Sequence, residues 1–256
     1  MPIDAFEVAR ICRNRTPDFL RIHYFPAIPS TQDEARKLAQ SNAPEGTLVV
    51  AGMQTQGRGR AGRRWFSPKG SGVYVSMVLR PPRPMDRWPA ISVIAGVSLV
   101  EELVALGISE ARLKWPNDAL VKGKKVAGLL LESRSGDGFA VLGLGLNADF
   151  SGVVLPEEIR DTATDLKTYL PDGQSLAEAC ARCVCAVFSG YRRSLPDLLV
   201  DTARADMLLW TSGEVEVLGH RGKVVGMGPR GELRLVDPWH REFWVTCGEV
   251  QDAFVR

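Results

Sequence analysis

The sequence predicts an α+β protein: a mixed, largely antiparallel sheet with helices, followed by a small β-barrel. Strand-like runs rich in β-branched and apolar residues follow one another through tight turns, which implies antiparallel pairing. Longer segments with apolar residues at helical spacing lie among them. After Gly213 the pattern changes to short strands separated by Gly and Pro turns, over about 45 residues. That change divides the chain into expected domains at 1–211 and 212–256.

Residues 1–20 hold one short helix. Arg21–Ile28 reads as a strand entering a turn at Pro29. Thr31-Gln-Asp-Glu34 has the spacing of a capping box and opens a helix to about Gln40. Thr47–Ala51 is a short buried strand, and Gln54–Gly70 is too rich in Gly and Arg for regular structure. Val73–Leu79 is strand-like, and Trp88–Leu106 is a long apolar helix stopped by Gly107. Strands follow at 111–115, 118–121 and 126–132, the last two joined by a Lys122-Gly-Lys-Lys125 turn, and then at Phe139–Leu146. Residues 157–209 read as mostly helical. The barrel strands are Glu214–Leu218, Lys223–Met227, Leu233–Val236 and Phe243–Thr246. There is no internal repeat and no low-complexity tract.

Composition limits the function classes. Hydrophobic residues make up 45% of the 256, enough for a sizeable core, and 24% charged argues against disorder. A net charge of +2 provides no global field toward nucleic acid or a membrane, so any basic site is local. No apolar run approaches the roughly 18 residues of a membrane span. The start, MPIDAFEVARICRNR, carries acids and lacks an apolar signal core, so a cytoplasmic location is the default expectation. Five cysteines form no disulfide framework. Cys180 and Cys183 share helical spacing with Leu176, Val184, Val187, Phe188 and Tyr191, which favours buried thiols over a metal site.

Three segments carry chemistry. In Gln54-Thr-Gln-Gly57-Arg58-Gly59-Arg60-Ala-Gly62-Arg63-Arg64-Trp65, glycines permit close backbone approach and arginines offer forked donors for phosphate or carboxylate. Trp65 and Phe66 add flat apolar surface. A solvated basic loop or a nucleic-acid segment has the same composition. It is no Walker loop, because the Gly-Lys-Ser/Thr ending is absent. Next, Lys114-Trp115-Pro116-Asn117-Asp118 places polar groups, Asn117 among them, at a strand end. Lys125 opens an apolar strand containing Gly128; its ammonium either enters a pocket or tips a hairpin. Last, Gly143-Leu-Gly145-Leu-Asn147 alternates glycine with leucine, which marks close ligand approach or a tightly packed sheet.

In this order and spacing, GRGRAGRRWFSP, KWPND with KVAGLLLE, and GLGLN closely resemble the biotin–protein ligase family. Ser30-Thr31 before the first long helix fits its Ser-Thr pair. The resemblance runs from about Tyr24 to Asn147 and continues loosely into the barrel. Gln32 departs from the Asn common in that family. Only about 20 residues precede the ligase-like region, so the resemblance implies the enzyme without a DNA-binding repressor domain. It further implies a class II synthetase-like fold with an SH3-like terminal barrel.

Carried over, the resemblance implies that Ser30, Thr31, Gln54, Gly57, Arg58, Lys125, Gly128 and Gly145 meet biotin. It implies that Arg58, Arg60, Arg63, Trp65, Asn117 and Asn147 meet the nucleotide, and that Lys125 and Arg58 are the catalytic cations. No protein metal site is expected; Mg²⁺ would accompany ATP. The implied chemistry joins biotin and ATP as biotinyl-5′-adenylate, then passes biotin to one lysine of a biotin carrier protein of a biotin-dependent carboxylase. A homodimer is plausible from the family; no DNA and no membrane are expected as partners. A lipoate- or octanoate-transferring relative is the competing enzyme, and a nucleic-acid-binding module is the competing class.

Overall fold

A computed structural model describes residues 2–16, 19, 21–210 and 213–252. Its main sheet has seven strands in the order β1-β2-β3-β7-β6-β5-β4. These are β1 (Arg21–Phe25), β2 (Thr47–Ala51), β3 (Gly72–Leu79), β4 (Ala111–Lys114), β5 (Asp118–Val121), β6 (Lys124–Glu132) and β7 (Ala140–Asn147). Every neighbouring pair is antiparallel except β1 and β2, which run parallel. The helix α2 (Thr31–Gln40) forms the crossover that a parallel pair requires.

The two faces of this sheet have different tasks. Leu48, Val50, Val73, Val75, Met77, Leu142, Leu144 and Leu146 alternate onto one face and enter the main core. That core also takes α1 (Ala5–Arg15), α3 (Ala90–Ala105) and α5 (Leu176–Arg193). Asp4 starts α1 by accepting a bond from the Phe6 amide at 2.9 Å. α3 is buried nearly all round, as its uniform apolarity demands. The segment Met85–Ala105 is long and apolar enough to cross a membrane, contrary to the sequence estimate, yet 67% of it is buried within the protein. α5 buries Cys180 and Cys183, as the spacing predicted, and also Cys185, which the spacing left off the apolar face; Cys12 of α1 lies buried against the Ala181 carbonyl. On the opposite face Ala35 and Ala39 of α2 pack over Val49, Val78 and Val141. The rest of that face is where the functional segments gather.

One irregularity decides what that face presents. β5 and β6 lose register between Ala119 and Leu120: Ala119 pairs with Ala127, but Leu120 pairs with Lys125. Val126 is the extra residue of a β-bulge and is buried in the core. Without it, Lys125 and Gly128 would face opposite ways, being an odd number of residues apart. With it, both lie on the α2 side.

The C-terminal strands are β8 (Glu214–Val217), β9 (His220–Met227), β10 (Leu233–Val236), β11 (Glu242–Val245) and β12 (Gln251–Asp252). They form an antiparallel sheet ordered β11-β10-β9-β8-β12, a small barrel of SH3-like type. The sequence pattern missed β12, which is only two residues long. Val215, Met227, Leu233 and Leu235 join the main core, and Trp115 Nε1 donates to the Gly231 carbonyl at 2.8 Å.

Two expectations need correction. The capping box does not form: Ser30 occupies the cap position with no side-chain cap bond, and the Thr31 hydroxyl is engaged elsewhere. Residues 157–209 hold three helices, α4 (Glu157–Arg160), α5 and α6 (Thr202–Leu208). The stretch between α4 and α5 is loop, since Pro171, Asp172 and Gly173 break the helical pattern there.

Candidate active site

A groove runs over the α2 side of the sheet. Its floor is two glycines facing each other across β6 and β7, Gly128 opposite Gly145. A Cβ on Gly145 would lie 2.3 Å from Trp65 Cε2, and one on Gly128 would lie 2.9 Å from Trp65 Cζ3. The indole of Trp65 therefore rests flat on a floor that side chains would fill. Its Nε1 is buried without a hydrogen-bond partner among the described residues. Lys125 Nζ stands 5.1 Å from the ring centroid.

Lys125 is held from several sides. Its amide donates to the Thr162 carbonyl at 2.8 Å, and its carbonyl accepts from the Thr164 amide at 2.9 Å. Asn147 Nδ2 adds a bond to the same carbonyl at 3.1 Å and another to the Thr164 carbonyl at 3.0 Å. Lys125 Nζ lies 2.7 Å from Asp118 Oδ1, off the hydrogen-bond direction, so the contact is Coulombic. The pair gives the groove a cationic end with a carboxylate beside it.

The other end of the groove is polar and nearly dry. Thr31 donates to Gln54 Oε1 through its amide at 2.8 Å and its hydroxyl at 3.0 Å. Gln54 Nε2 donates to Ser67 Oγ at 3.1 Å, and Ser67 donates to the Trp65 carbonyl at 2.9 Å. A Cβ on Gly57 would lie 2.6 Å from Ser67 Oγ, so only glycine leaves room for this chain of bonds. Ser30 is 2% exposed and its Oγ has no partner among the described residues. A buried hydroxyl left unsatisfied costs about 1–3 kcal/mol, which a ligand with a matching group would recover.

The arginine segment is a folded loop, more regular than its composition suggested. Trp65 donates to the Gly57 carbonyl at 2.9 Å, Gly59 to the Arg63 carbonyl at 2.7 Å, and Arg58 bridges Arg64. Arg60 ties it down: Nη1 donates to Asn117 Oδ1 at 2.8 Å and Nη2 to the Gly248 carbonyl at 3.0 Å. Arg63 is ion-paired with Glu249. Burial alone would push the Glu249 carboxyl up; the Arg63 hydrogen bond and the charges of Arg63, Arg60 and Lys125 outweigh it and hold the carboxyl below its ordinary value. Asn117 is buried and clamps Leu129, donating to its carbonyl at 2.8 Å.

The structure thus gathers Ser30, Thr31, Gln54 and Gly57 at one end, and Lys125, Gly128, Gly145 and Trp65 over the floor. Arg60, Arg63 and Asn117 form the closure above. Arg58 stands apart. Its guanidinium is 2.8 Å from Asp33 and 3.1 Å from Glu132. Glu132 is four residues, about 13 Å, along the strand from Gly128, so Arg58 and Lys125 flank the groove rather than converge. Asn147 has both amide protons engaged with backbone carbonyls, leaving only Oδ1 for a ligand. Sequence reasoning missed Ser76 and Glu249, which lie in no motif, and passed over Ser67 and Asp118 although each lies within one.

The comparisons with known proteins point to one family. The model of the biotin/lipoate A/B protein ligase family matches residues 24–149. The biotin–[acetyl-CoA-carboxylase] ligase of Mycobacterium tuberculosis is 33% identical, with 86% of this chain covering 85% of that protein. The bifunctional ligase/repressor BirA of Bacillus spizizenii is 41% identical over 56% of this chain; the chain spans 45% of that protein's length. Among solved structures, the biotin protein ligase of Aquifex aeolicus in complex with biotin and ATP matches with a TM-score of 0.76 and 26% identity, over 91% of this chain and 98% of that one. The fold is that of the biotin protein ligases. The chain belongs to the biotin/lipoate A/B protein ligase family, and within it to the biotin–protein ligases.

Proposed function

We propose that this protein activates biotin with ATP and transfers it to one lysine of a biotin carrier domain of a biotin-dependent carboxylase. The observation that carries this is the unpartnered Ser30 hydroxyl, buried beside Thr31 and Gln54. A cyclic urea offers one acceptor and two donors; Ser30 donates to the acceptor, and Thr31 Oγ1 receives one of the donors. The ring and its aliphatic chain lie along the Trp65 indole that covers the glycine floor, and the carboxylate ends at Lys125.

There the carboxylate attacks the α-phosphorus of ATP and pyrophosphate leaves. Two anions meet in that step, and Lys125 offsets the charge that grows in the transition state. Arg60 and Arg63 close the loop over the adenylate and keep water from the mixed anhydride. A carrier lysine amine then attacks the carbonyl and AMP leaves. Asp118, beside Lys125, would offer a carboxylate to Mg²⁺ brought by the nucleotide. Bound there, Mg²⁺ would neutralise phosphate charge.

Residues 1–211 form the catalytic unit in this proposal, and 212–256 the appended barrel that meets the arginine loop through Gly248 and Glu249. Arg58 serves the groove mouth, Trp65 the nucleotide, and Asn147 the adenosine side. A cytoplasmic location fits the need for ATP, and a homodimer is the proposed assembly. Incubation with biotin, ATP and a carrier domain, followed by weighing the carrier, tests the proposal: one added biotinyl group is the expected result. Pyrophosphate release with lipoate or octanoate but not biotin would overturn it.

A further inference from the structure

Gln32 is the position at which this chain departs from the family's usual Asn. It is 3% exposed, and it spans three strands. Its Nε2 lies 3.1 Å from the Val141 carbonyl and 3.3 Å from the Leu130 carbonyl. Its Oε1 lies 2.9 Å from Ser76 Oγ and 2.7 Å from where a Cβ on Gly143 would stand.

The directions of these bonds are fixed by chemistry. Carbonyls only accept, so the amide nitrogen faces them and Oε1 faces Ser76. An amide oxygen also only accepts, so Ser76 commits its one proton to Gln32. Ser76 Oγ is 2.8 Å from Thr31 Oγ1 and has no proton left to offer it. The Thr31 proton must go outward, to Ser76 Oγ or to Gln54 Oε1 at 3.0 Å. Among the described residues no protein donor is then directed at Thr31 Oγ1, and its lone pairs stay open to the pocket.

We infer that Gln32 is a positioning residue that orients the Thr31–Ser76 hydroxyl pair and so makes the pocket select a head group bearing N–H donors. This rests on the function proposed above. Gln32 does not touch the ligand; it acts through Ser76. An acid with a urea head gains from the open Thr31 oxygen, whereas a linear acid or a disulfide ring has no donor to give it.

Two substitutions and their combination test this. Gln32→Met keeps the length and removes both hydrogen-bonding atoms. The Ser76 proton is then free to turn to Thr31 and cover a lone pair. The Kd for biotin, read by titration calorimetry without nucleotide, should rise about tenfold, the scale of one lost hydrogen bond. The loss should fall on KM for biotin rather than on kcat. Adding Ser76→Ala removes the intruding proton, so Gln32→Met/Ser76→Ala should recover affinity to within about threefold of wild type. A merely structural Gln32 predicts the reverse, a double variant at least as weak as the single one, and that result overturns the inference. Should Gln32→Met lose its thermal transition, Gln32→Glu carries the test, because it keeps the acceptor facing Ser76. In that background Ser76→Ala should bring no gain, and a gain overturns the inference. A wild-type protein that binds no biotin at all would instead overturn the proposed function, and the inference with it.

Discussion

Replacing Arg60 by glycine should turn a guarded intermediate into a leaking one. The Arg60 guanidinium joins the loop to two other parts of the chain, through Asn117 Oδ1 at 2.8 Å and the Gly248 carbonyl at 3.0 Å. Bonds from a charged group contribute about 1.5–3 kcal/mol each, and a half-buried site takes the low end. The Arg63–Glu249 pair remains and retains part of the closure. A net loss of about 2–3 kcal/mol lowers the closed-to-open ratio roughly 30- to 150-fold. The added glycine lowers it further by widening the freedom of the open loop. Adenylate then escapes and its anhydride acylates exposed lysines without selection. The assay adds bovine albumin to biotin and ATP and measures biotin on the albumin. Arg60→Gly should label it at least tenfold more than wild type while pyrophosphate release stays measurable. Pyrophosphate release with no rise in albumin labelling would show that Arg60 does not hold the loop.

Lys125→Ala should keep its melting temperature within a few degrees yet lose pyrophosphate release by about 10²–10³-fold, since one preorganised cation contributes several kcal/mol; near wild-type release would remove Lys125 from the chemistry. Gly145→Ala places a methyl group 2.3 Å from the Trp65 indole, which must leave the floor. Tryptophan emission should shift to the red and biotin affinity fall at least tenfold, and a spectrum identical to wild type would refute the placement of Trp65. The lowered carboxyl of Glu249 gives the loop contact a pH dependence. A depressed value in the folded state contributes stability above the ordinary 4.5 and loses it as pH falls through the lowered value. The hydrogen-exchange protection factors of the 57–65 loop should therefore fall at acid pH in wild type but change less in Glu249→Gln; equal pH responses would refute the pairing.

Much of this was legible in the sequence because the functional segments are local. Gly57, Arg60, Trp65, Asn117 and Lys125 sit in motifs whose residue types state their chemistry, and the strands that carry them alternate plainly. What could not be read depends on register and direction. Ser30 and Thr31 have the spacing of a helix cap, but both hydroxyls are withheld from it, a local rule set aside where a pocket needs the groups. Arg58 sits in the same motif as Arg60, yet its guanidinium turns to Asp33 and Glu132, partners far away in sequence. Ser67 and Ser76 look like ordinary strand and loop serines; only the fold places them between Trp65, Gln54, Thr31 and Gln32.

Val126 has a consequence that reaches past packing. The side of the sheet on which Lys125 stands is a matter of odd or even count, and the bulge supplies the odd step. Holding this buried valine in a regular strand, without the bulge, would leave every polar residue of the groove in the chain. It would nonetheless rotate the ammonium through the sheet, to lie among Ala119, Ala127 and Leu129 under α3. Tables of matching residues would score such a protein as intact. The competence of this groove is therefore written partly in arithmetic, in how many residues separate the lysine from the glycine floor and in the bulge that absorbs one of them.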